Sequence, residues 1–202
     1  MVKKKSPKPL SFSKRPAYRA AFILLALLLS AAVFAGAGAA AQNVTTAEQL
    51  NAAFSDSSVS EIILDNDITM TGEITVTKNV TLDLAGHTLT AASGKRLFTV
   101  KGGSAFTLTD SNPAAAHYYT YVDGGAWTNK GDSYTGTSVS LAEFSLADAK
   151  KAPAGTYVVK ICGGVLSGGS ADWHGGGAVY VSENAAFTMN GCTIAGCSAA
   201  EG

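Results

Sequence analysis

The sequence predicts an all-β protein built as a β-solenoid, in which short strands wind around a common axis and stack as successive coils. The first observation is self-similarity: residues 160–174 align with 188–202 at an offset of 28, and residues 97–108 align with 178–189 at an offset of 81. The second is the alternation of apolar residues in short Thr-rich runs that end in Asn, Asp and Gly. Short alternating strands also suit an antiparallel sandwich, but a sandwich predicts no fixed repeat.

The offsets give the expected length of a coil. The 81-residue offset equals three coils of about 27 residues each. Earlier coils are shorter, because Ile62-x-Leu64-Asp65 recurs 18 residues later as Val80-x-Leu82-Asp83, and Val80 recurs 26 residues later as Phe106. Strands of constant length joined by turns of variable length predict this uneven spacing.

Apolar pairs at positions i and i+2 recur in two series, and each pair points to one face of a strand. Pairs of successive coils are expected to stack in parallel ladders about 4.8 Å apart, because one coil buries too little apolar surface to be stable alone. The first series is Ile62/Leu64, Val80/Leu82, Phe106/Leu108, Val159/Ile161 and Phe187/Met189. The second series is Ile74/Val76, Phe98/Val100 and Val179/Val181.

Residues 1–41 are expected to be a signal peptide. Seven Lys and Arg precede the apolar run Ala20–Phe34, and small residues with Ala-x-Ala cleavage sites follow it. The predicted cut is after Ala41, with Ala37 or Ala39 as alternatives, and the competing interpretation is an uncleaved membrane anchor over Ala20–Ala41, 22 residues without a charge. Both interpretations predict a secreted or cell-surface protein that meets a membrane only through an uncleaved leader.

The composition of the exported part excludes some classes of partner. Without the leader, eight Lys and Arg face fifteen Asp and Glu, a net charge of −7. Nucleic-acid binding needs a basic footprint, so no nucleic-acid partner is predicted. Three cysteines are too few for a disulfide scaffold. The sequence is compatible with a disulfide bond between Cys192 and Cys197 and equally with two free thiols buried inside a coil.

A short helix is expected to cover the first coil. Thr45-x-x-Glu48 has the pattern of a capping box, and Leu50 and Phe54 fall on one apolar face of the helix that it would begin. In the 28-residue register, Gly202 falls opposite His174, and a Gly-rich turn and a strand follow His174 at 175–181. The same turn and strand are expected after Gly202, so the chain is expected to be C-terminally truncated. The predicted order after the leader is a cap helix at 42–60, coils at 61–109, an aromatic Gly-rich insertion at 110–156 and incomplete coils at 157–202.

Two stretches carry a resemblance to a known family. They are VTTAEQLNAAF with SEIILDNDITMTGEITVTKNVTLDLAGHTLT, within residues 44–109, and GGGAVYVSENAAFTMNGCTIAGCSA, within 157–202. They resemble bacterial secreted or surface-attached adhesin-like proteins of the pectin-lyase-like fold, which implies a right-handed parallel β-helix. The resemblance selects no activity, because polysaccharide lyases, glycosidases and non-enzymatic adhesins share these motifs.

Residues with catalytic chemistry are scattered, and no catalytic residue, metal site or cofactor is predicted. A pectate-lyase-type enzyme needs clustered Asp ligands for Ca²⁺ beside a basic residue, but Arg96 stands in a turn without such a cluster. Asp65-Asn66-Asp67 offers oxygen ligands for a cation, yet the string is typical of a solvated turn. Asp65 and Asp83 align as a glycosidase carboxylate pair would, although both fit turn positions at strand ends. The histidines show no metal-ligand spacing: His87, His117 and His174.

The insertion contains the candidate ligand-binding residues, which are aromatic side chains among short polar ones: Tyr118, Tyr119, Tyr121, Trp127 and Tyr134. Aromatic faces beside hydrogen-bonding groups are suited to sugars. The alternative is that these rings are buried in a satellite cluster against the flank of the solenoid. The predicted function is a non-catalytic extracellular adhesin-like module that contacts glycans or a host or matrix surface. The alternative is the N-terminal part of a polysaccharide lyase or glycoside hydrolase.

Overall fold

A computed structural model describes residues 40–122, 126–171 and 175–200, which belong to one unit, Ala39–Gly202. The predictions of a signal peptide or anchor, and those that involve His174 and Gly202, concern residues outside these ranges. Within the described ranges, no helix combines the length and the apolar character that crossing a bilayer requires.

The fold is all-β with few helices, and most of the described strands belong to parallel sheets. The first sheet consists, in spatial order, of β1 (Ala40–Val44), β2 (Val59–Leu64), β5 (Val80–Asp83), β8 (Ala105–Thr109) and β16 (Ala186–Asn190). The second consists of β3 (Ile68–Thr69), β6 (Thr88–Thr90), β13 (Val165–Ser167) and β17 (Thr193–Ala195). The third consists of β4 (Ile74–Val76), β7 (Phe98–Val100) and β15 (Val179–Val181). A short fourth sheet pairs β14 (Ser170–Ala171) with β18 (Ser198–Ala199).

The chain passes through the first three sheets in the same order on successive passes. From β2 it continues through β3 and β4, returns to the first sheet at β5, and repeats the sequence through β6 and β7 to β8. After an inserted segment it passes β13 and β15 before it reaches β16. Each strand therefore lies in parallel beside its counterpart from the previous pass.

The register confirms the 28-residue repeat and changes the interpretation of the longer offset. Val165 lies opposite Thr193, and Phe106 lies opposite Phe187, at the expected offsets of 28 and 81. However, β8 and β16 are direct neighbours. The 81 residues therefore make one pass that includes the insertion, and the interpretation as three coils of equal length is wrong.

The first pass has a different register from the predicted one. Ile62 lies opposite Leu82, an offset of 20, so the predicted offset of 18 is wrong. The next pass places Val80 opposite Phe106, as the 26-residue offset predicts. As a result Asp83 lies opposite Ile63 and does not align with Asp65.

The inner core lies between the three parallel sheets. Phe106 is central, with ring centroids 4.7 Å from Phe98, 5.5 Å from Phe187 and 5.9 Å from Phe54. Fully buried leucine and isoleucine side chains from successive strands complete it: Ile62, Leu64, Leu82, Leu89, Leu108 and Leu166. The predicted inward pairs from β2, β5 and β8 are confirmed, whereas Met189 on the outermost strand β16 is 41% exposed.

Helix α1 (Ala47–Ser55) covers part of this core with Leu50 and Phe54, as predicted. The predicted capping box is wrong by one position. Thr46 is the N-cap, and its hydroxyl accepts a hydrogen bond from the Gln49 N–H at 3.3 Å. The Gln49 side chain in turn accepts from the Thr45 N–H at 2.8 Å. Both Thr-x-x-Glu and Thr-x-x-Gln occur here, and the helix begins from the second.

The inserted segment forms a mixed sheet. Its strands are β10 (Ala126–Gly131), β9 (Ala116–Val122), β12 (Val158–Cys162) and β11 (Val139–Ser140), with a 3₁₀ turn at Leu141–Glu143 and helix α2 at Leu146–Lys151 between β11 and β12. Strand β12 runs antiparallel to β9. The prediction that Val159 and Ile161 continue the inward series of the coils is therefore wrong. They form a second core with Tyr119, Val165 and Ala195, between the mixed sheet and the second parallel sheet.

Candidate functional site

The predicted aromatic residues separate onto the two faces of the mixed sheet. Tyr119 and Tyr121 alternate with Tyr118 along β9, and both are buried. Tyr121 and Trp127 lie edge to face at 5.9 Å, and Trp127 lies 5.1 Å from Phe144. The ring faces of Tyr119 and Tyr121 thus pack against protein, as the satellite-cluster alternative describes, while Trp127 is half-buried at the edge of this cluster.

Tyr118 and Tyr134 form a separate, partly exposed pair. Their ring centroids lie 5.8 Å apart at an interplanar angle of 38°. The Tyr134 ring lies over the backbone of Gly136, where a Cβ atom would come within 2.4 Å of the phenol oxygen. Lys160 lies directly opposite Tyr118 in the pairing of β12 with β9. Side chains directly opposite in an antiparallel pair extend from the same face, so this face of the mixed sheet carries Tyr118 and Lys160, with the Tyr134 ring beside Tyr118.

The Tyr119 hydroxyl is a buried polar group without a well-placed partner. Its oxygen makes no hydrogen bond of good geometry in the described structure. Burial raises the pKa of this phenol, and the nearby Asp67 and Asp132 carboxylates raise it further, against the opposing influence of Thr88 and Ser167. The hydroxyl thus remains protonated and faces the polar outer surface of the second parallel sheet.

A cluster of two histidines and two aspartates lies where the mixed sheet meets the parallel sheets. Asp67 precedes β3, His87 precedes β6, His117 belongs to β9, and Asp132 follows β10. Ligand atoms of Asp67, His117 and Asp132 all lie within 4.8 Å of one another. His87 Nδ1 lies 3.4 Å from Asp67 Oδ1. We call these four residues the His/Asp cluster.

Both ring nitrogens of His117 have acceptors. The side chain is 3% exposed; Nε2 donates to the Gly86 carbonyl at 2.8 Å, and Nδ1 lies 2.7 Å from Asp132 Oδ1. The Thr88 hydroxyl lies 3.4 Å from the same Nδ1. Its backbone N–H donates to Asp67 Oδ1 at 2.8 Å and thereby fixes the second carboxylate. The absence of metal-ligand spacing around His117 in the sequence is why its place in this cluster is not predicted from the sequence.

The acids that were considered for catalysis hold turns. Asp65 accepts two hydrogen bonds from the Asn43 amide, and Asp83 Oδ1 accepts from the N–H groups of Ala85 and Ser111. Asp110 Oδ1 likewise accepts from the Gly86 N–H. These contacts match the turn interpretation of the acids at strand ends. Arg96 lies 3.8 Å from Glu73 and stacks over Tyr180 at 5.0 Å.

The three cysteines are free thiols in the structure. Cys197 Sγ accepts a hydrogen bond from the Gly169 N–H at 3.3 Å. Burial, followed by the carboxylates of Asp110 and Asp83, raises the pKa of Cys192 to about 12. A thiol with this pKa is almost wholly protonated at neutral pH and is therefore a poor nucleophile.

Comparison with known families agrees with this architecture. Parallel sheets of short strands around one apolar core define an all-β protein whose turns and insertions carry its variable surface. A sequence model of the family described as "Putative pectate lyase-like adhesive domain" matches residues 41–150. This match covers more than half of the 202 residues, and the chain belongs to that family. No curated protein and no solved structure matches the chain.

Proposed function

We propose that the chain is an adhesive module displayed outside the cell, which contacts glycans or a host or matrix surface through its inserted mixed sheet. The family match supports an adhesive role and extends over β9 and β10. The observation that carries the proposal is the partly exposed pair of Tyr118 and Tyr134. Tyrosine rings supply apolar faces for the C–H groups of a sugar at low entropic cost, while their hydroxyls accept and donate hydrogen bonds.

The proposed scaffold is a right-handed parallel β-helix. The repeated order of the sheets, the parallel pairing of neighbouring strands and the single inner core support it. Crossover connections between parallel strands of one sheet are right-handed in about 98% of cases. A stack of coils provides a rigid support on which an inserted sheet presents a binding face.

Export is proposed to precede folding of the first strand. β1 begins at Ala40 and pairs in parallel with β2 through Val44. All three predicted cuts, after Ala37, Ala39 or Ala41, leave Gln42–Val44 of this strand in the exported chain.

The proposal is tested by binding of the purified chain to arrays of glycans and matrix proteins. Tyr118→Ala and Tyr134→Ala are each expected to weaken the strongest interaction about tenfold, because each removes one stacking face. Tyr180→Ala is the matched control, since it removes a partly exposed tyrosine that lies on β15, outside the mixed sheet. Its binding is expected to equal that of the unaltered chain.

Two outcomes would contradict this proposal. One is the absence of binding to any glycan or matrix protein at micromolar concentrations of the chain. The other is equal weakening by all three substitutions, which would indicate a general loss of structure. Release of shortened or unsaturated sugar products from the array would instead support the alternative of a carbohydrate-active lyase or hydrolase.

A further inference from the structure

We infer that the His/Asp cluster is a binding site for a divalent first-row transition metal of the zinc type, with His117, Asp67 and Asp132 as ligands, water in the fourth position and His87 paired with Asp67 beside them. The site would join the mixed sheet to the parallel sheets, because His117 and Asp132 come from the insertion and Asp67 and His87 from the first two passes of the chain.

The first step of the argument is the direction of the His117 ring. Nε2 donates its proton to the Gly86 carbonyl, so Nδ1 faces Asp132 and the region of Asp67. A lone pair on Nδ1 and two carboxylates repel one another unless a positive charge lies between them. A proton on Nδ1 neutralises the contact with Asp132 alone. The Thr88 N–H holds Asp67 beside this contact, and a divalent cation would neutralise both carboxylates at once.

The second step is the chemistry of the donor atoms. Imidazole nitrogen with carboxylate oxygen suits zinc and its neighbours among the transition metals. Calcium and magnesium prefer shells made entirely of oxygen, so they are weaker candidates here. A metal-bound histidine commonly donates its other ring N–H to a backbone carbonyl, which fixes the tautomer and the ring orientation. The contact of His117 with Gly86 has this form.

The third step is whether the geometry can receive the ion. Four ligands at about 2.0–2.2 Å from zinc in tetrahedral geometry lie about 3.3 Å from one another. His117 Nδ1 and Asp132 Oδ1 are closer, at 2.7 Å, so the carboxylate must withdraw by about half an ångström. The Asp132 side chain is 62% exposed and has room to do so, whereas His117 is held by burial. Binding replaces the proton that lies between Nδ1 and Asp132, and that proton is released to solvent.

A second buried group points to the same place. The Tyr119 hydroxyl has no well-placed hydrogen-bond partner and lies near the hydroxyls of Thr88 and Ser167, and the Thr88 hydroxyl in turn lies 3.4 Å from His117 Nδ1. Tyr119 and His117 extend from the same face of β9, and both are almost fully buried. The hydroxyl is thus a donor available to a water or a carboxylate oxygen of the metal site.

The test is titration of the full, tag-free chain with Zn²⁺ after removal of metal with EDTA. One equivalent is expected to bind with a dissociation constant below about 10 µM, and a hundredfold excess over that constant should raise the melting temperature by about 5–10 °C. Co²⁺ in place of zinc should give the intense visible absorption of tetrahedral coordination. Ca²⁺ should produce neither effect.

Substitutions identify the ligands. Asp132→Asn and Asp67→Asn are expected to weaken zinc binding at least about tenfold each. Both side chains are exposed, so the variants should fold even if His117→Gln does not. Asp65→Asn is the matched control, because Asp65 occupies the same turn but binds Asn43, and it should leave zinc binding unchanged.

The inference would be overturned by any of three results. The first is zinc binding weaker than about 100 µM. The second is zinc binding that Asp67→Asn and Asp132→Asn leave unchanged. The third is zinc binding that disappears when the cysteines are alkylated, which would assign the metal to thiols.

Discussion

Replacing Phe106 with alanine is expected to lower the free energy of unfolding by about 3–5 kcal/mol. The ring is 1% exposed and contacts the aromatic rings of α1, β7 and β16. Its loss leaves a cavity in which Phe54, Phe98 and Phe187 each lose a partner, and the rigid stack of strands around it has little freedom to collapse. Equilibrium unfolding in urea, followed by far-ultraviolet circular dichroism, measures the difference.

Phe187→Ala is the matched control for this prediction. Phe187 occupies the equivalent position one pass later and is only half-buried on the outermost strand of the sheet. Removal of its ring is expected to cost about 1–2 kcal/mol. Equal losses from the two substitutions would contradict the placement of Phe106 in the interior of the stack.

Replacing Lys78 with methionine is expected to lower the free energy of unfolding by about 2 kcal/mol. Lys78 Nζ donates to the carbonyls of Ala53 at 2.9 Å and Val59 at 2.6 Å, and also to that of Asp56. These carbonyls lie at the C-terminal end of α1 and the start of β2, where helix carbonyls lack intrahelical partners and a cation is favoured. Burial lowers the pKa of this lysine, and the nearby Asp56 carboxylate opposes that shift.

The effect of Lys78→Met should be local to the helix. Amide hydrogen exchange is expected to accelerate in α1 by a larger factor than in β7 or β8. Lys101→Met provides the control, because Lys101 is exposed in a turn after β7, and it should change neither stability nor exchange. Unchanged protection of α1 in the Lys78 variant would show that these three hydrogen bonds do not hold the helix.

Much of the strand register could be predicted because strands of successive passes carry an apolar pair at equivalent positions. Phe106 with Phe187 and Val165 with Thr193 follow directly from self-alignment, since stacked coils place like residues beside like. The first pass was placed wrongly because the repeated Leu-Asp string suggested an offset of 18. The strands instead pair Ile62 with Leu82, an offset of 20. Offsets of 18 and 20 differ by two residues, so both place the same side chains on the inner face, and alternation cannot distinguish them.

The mixed sheet could not be predicted from alternation. Val159 and Ile161 show the same i, i+2 pattern as the coil residues, and that pattern identifies a strand without identifying its partner. Their neighbour proved to be β9, which runs in the opposite direction. The aromatic residues of the insertion were recognised as a group, but only the packing of the mixed sheet on the second parallel sheet shows that Tyr119 faces inward and Tyr118 outward.

The His/Asp cluster lay beyond sequence reasoning for a related reason. His117 and Asp132 meet across the hairpin of β9 and β10, but Asp67 and His87 come from turns of earlier passes, so no single spacing in the sequence joins the four residues. One signal was present: the string Asp65-Asn66-Asp67 was recognised as a source of oxygen ligands. Its partners became visible only when the passes of the chain were stacked and the insertion was folded onto them.

The central claim, that successive passes stack in parallel with like residues in contact, is tested most directly by nuclear Overhauser effects in a chain labelled at phenylalanine rings and at leucine and methionine methyl groups. The account predicts contacts between the rings of Phe106 and Phe187 and between the methyl groups of Leu108 and Met189. Contacts of Phe106 with Met189 and of Leu108 with Phe187 would indicate antiparallel pairing. That pattern, or the absence of any contact between these strands, would contradict the account.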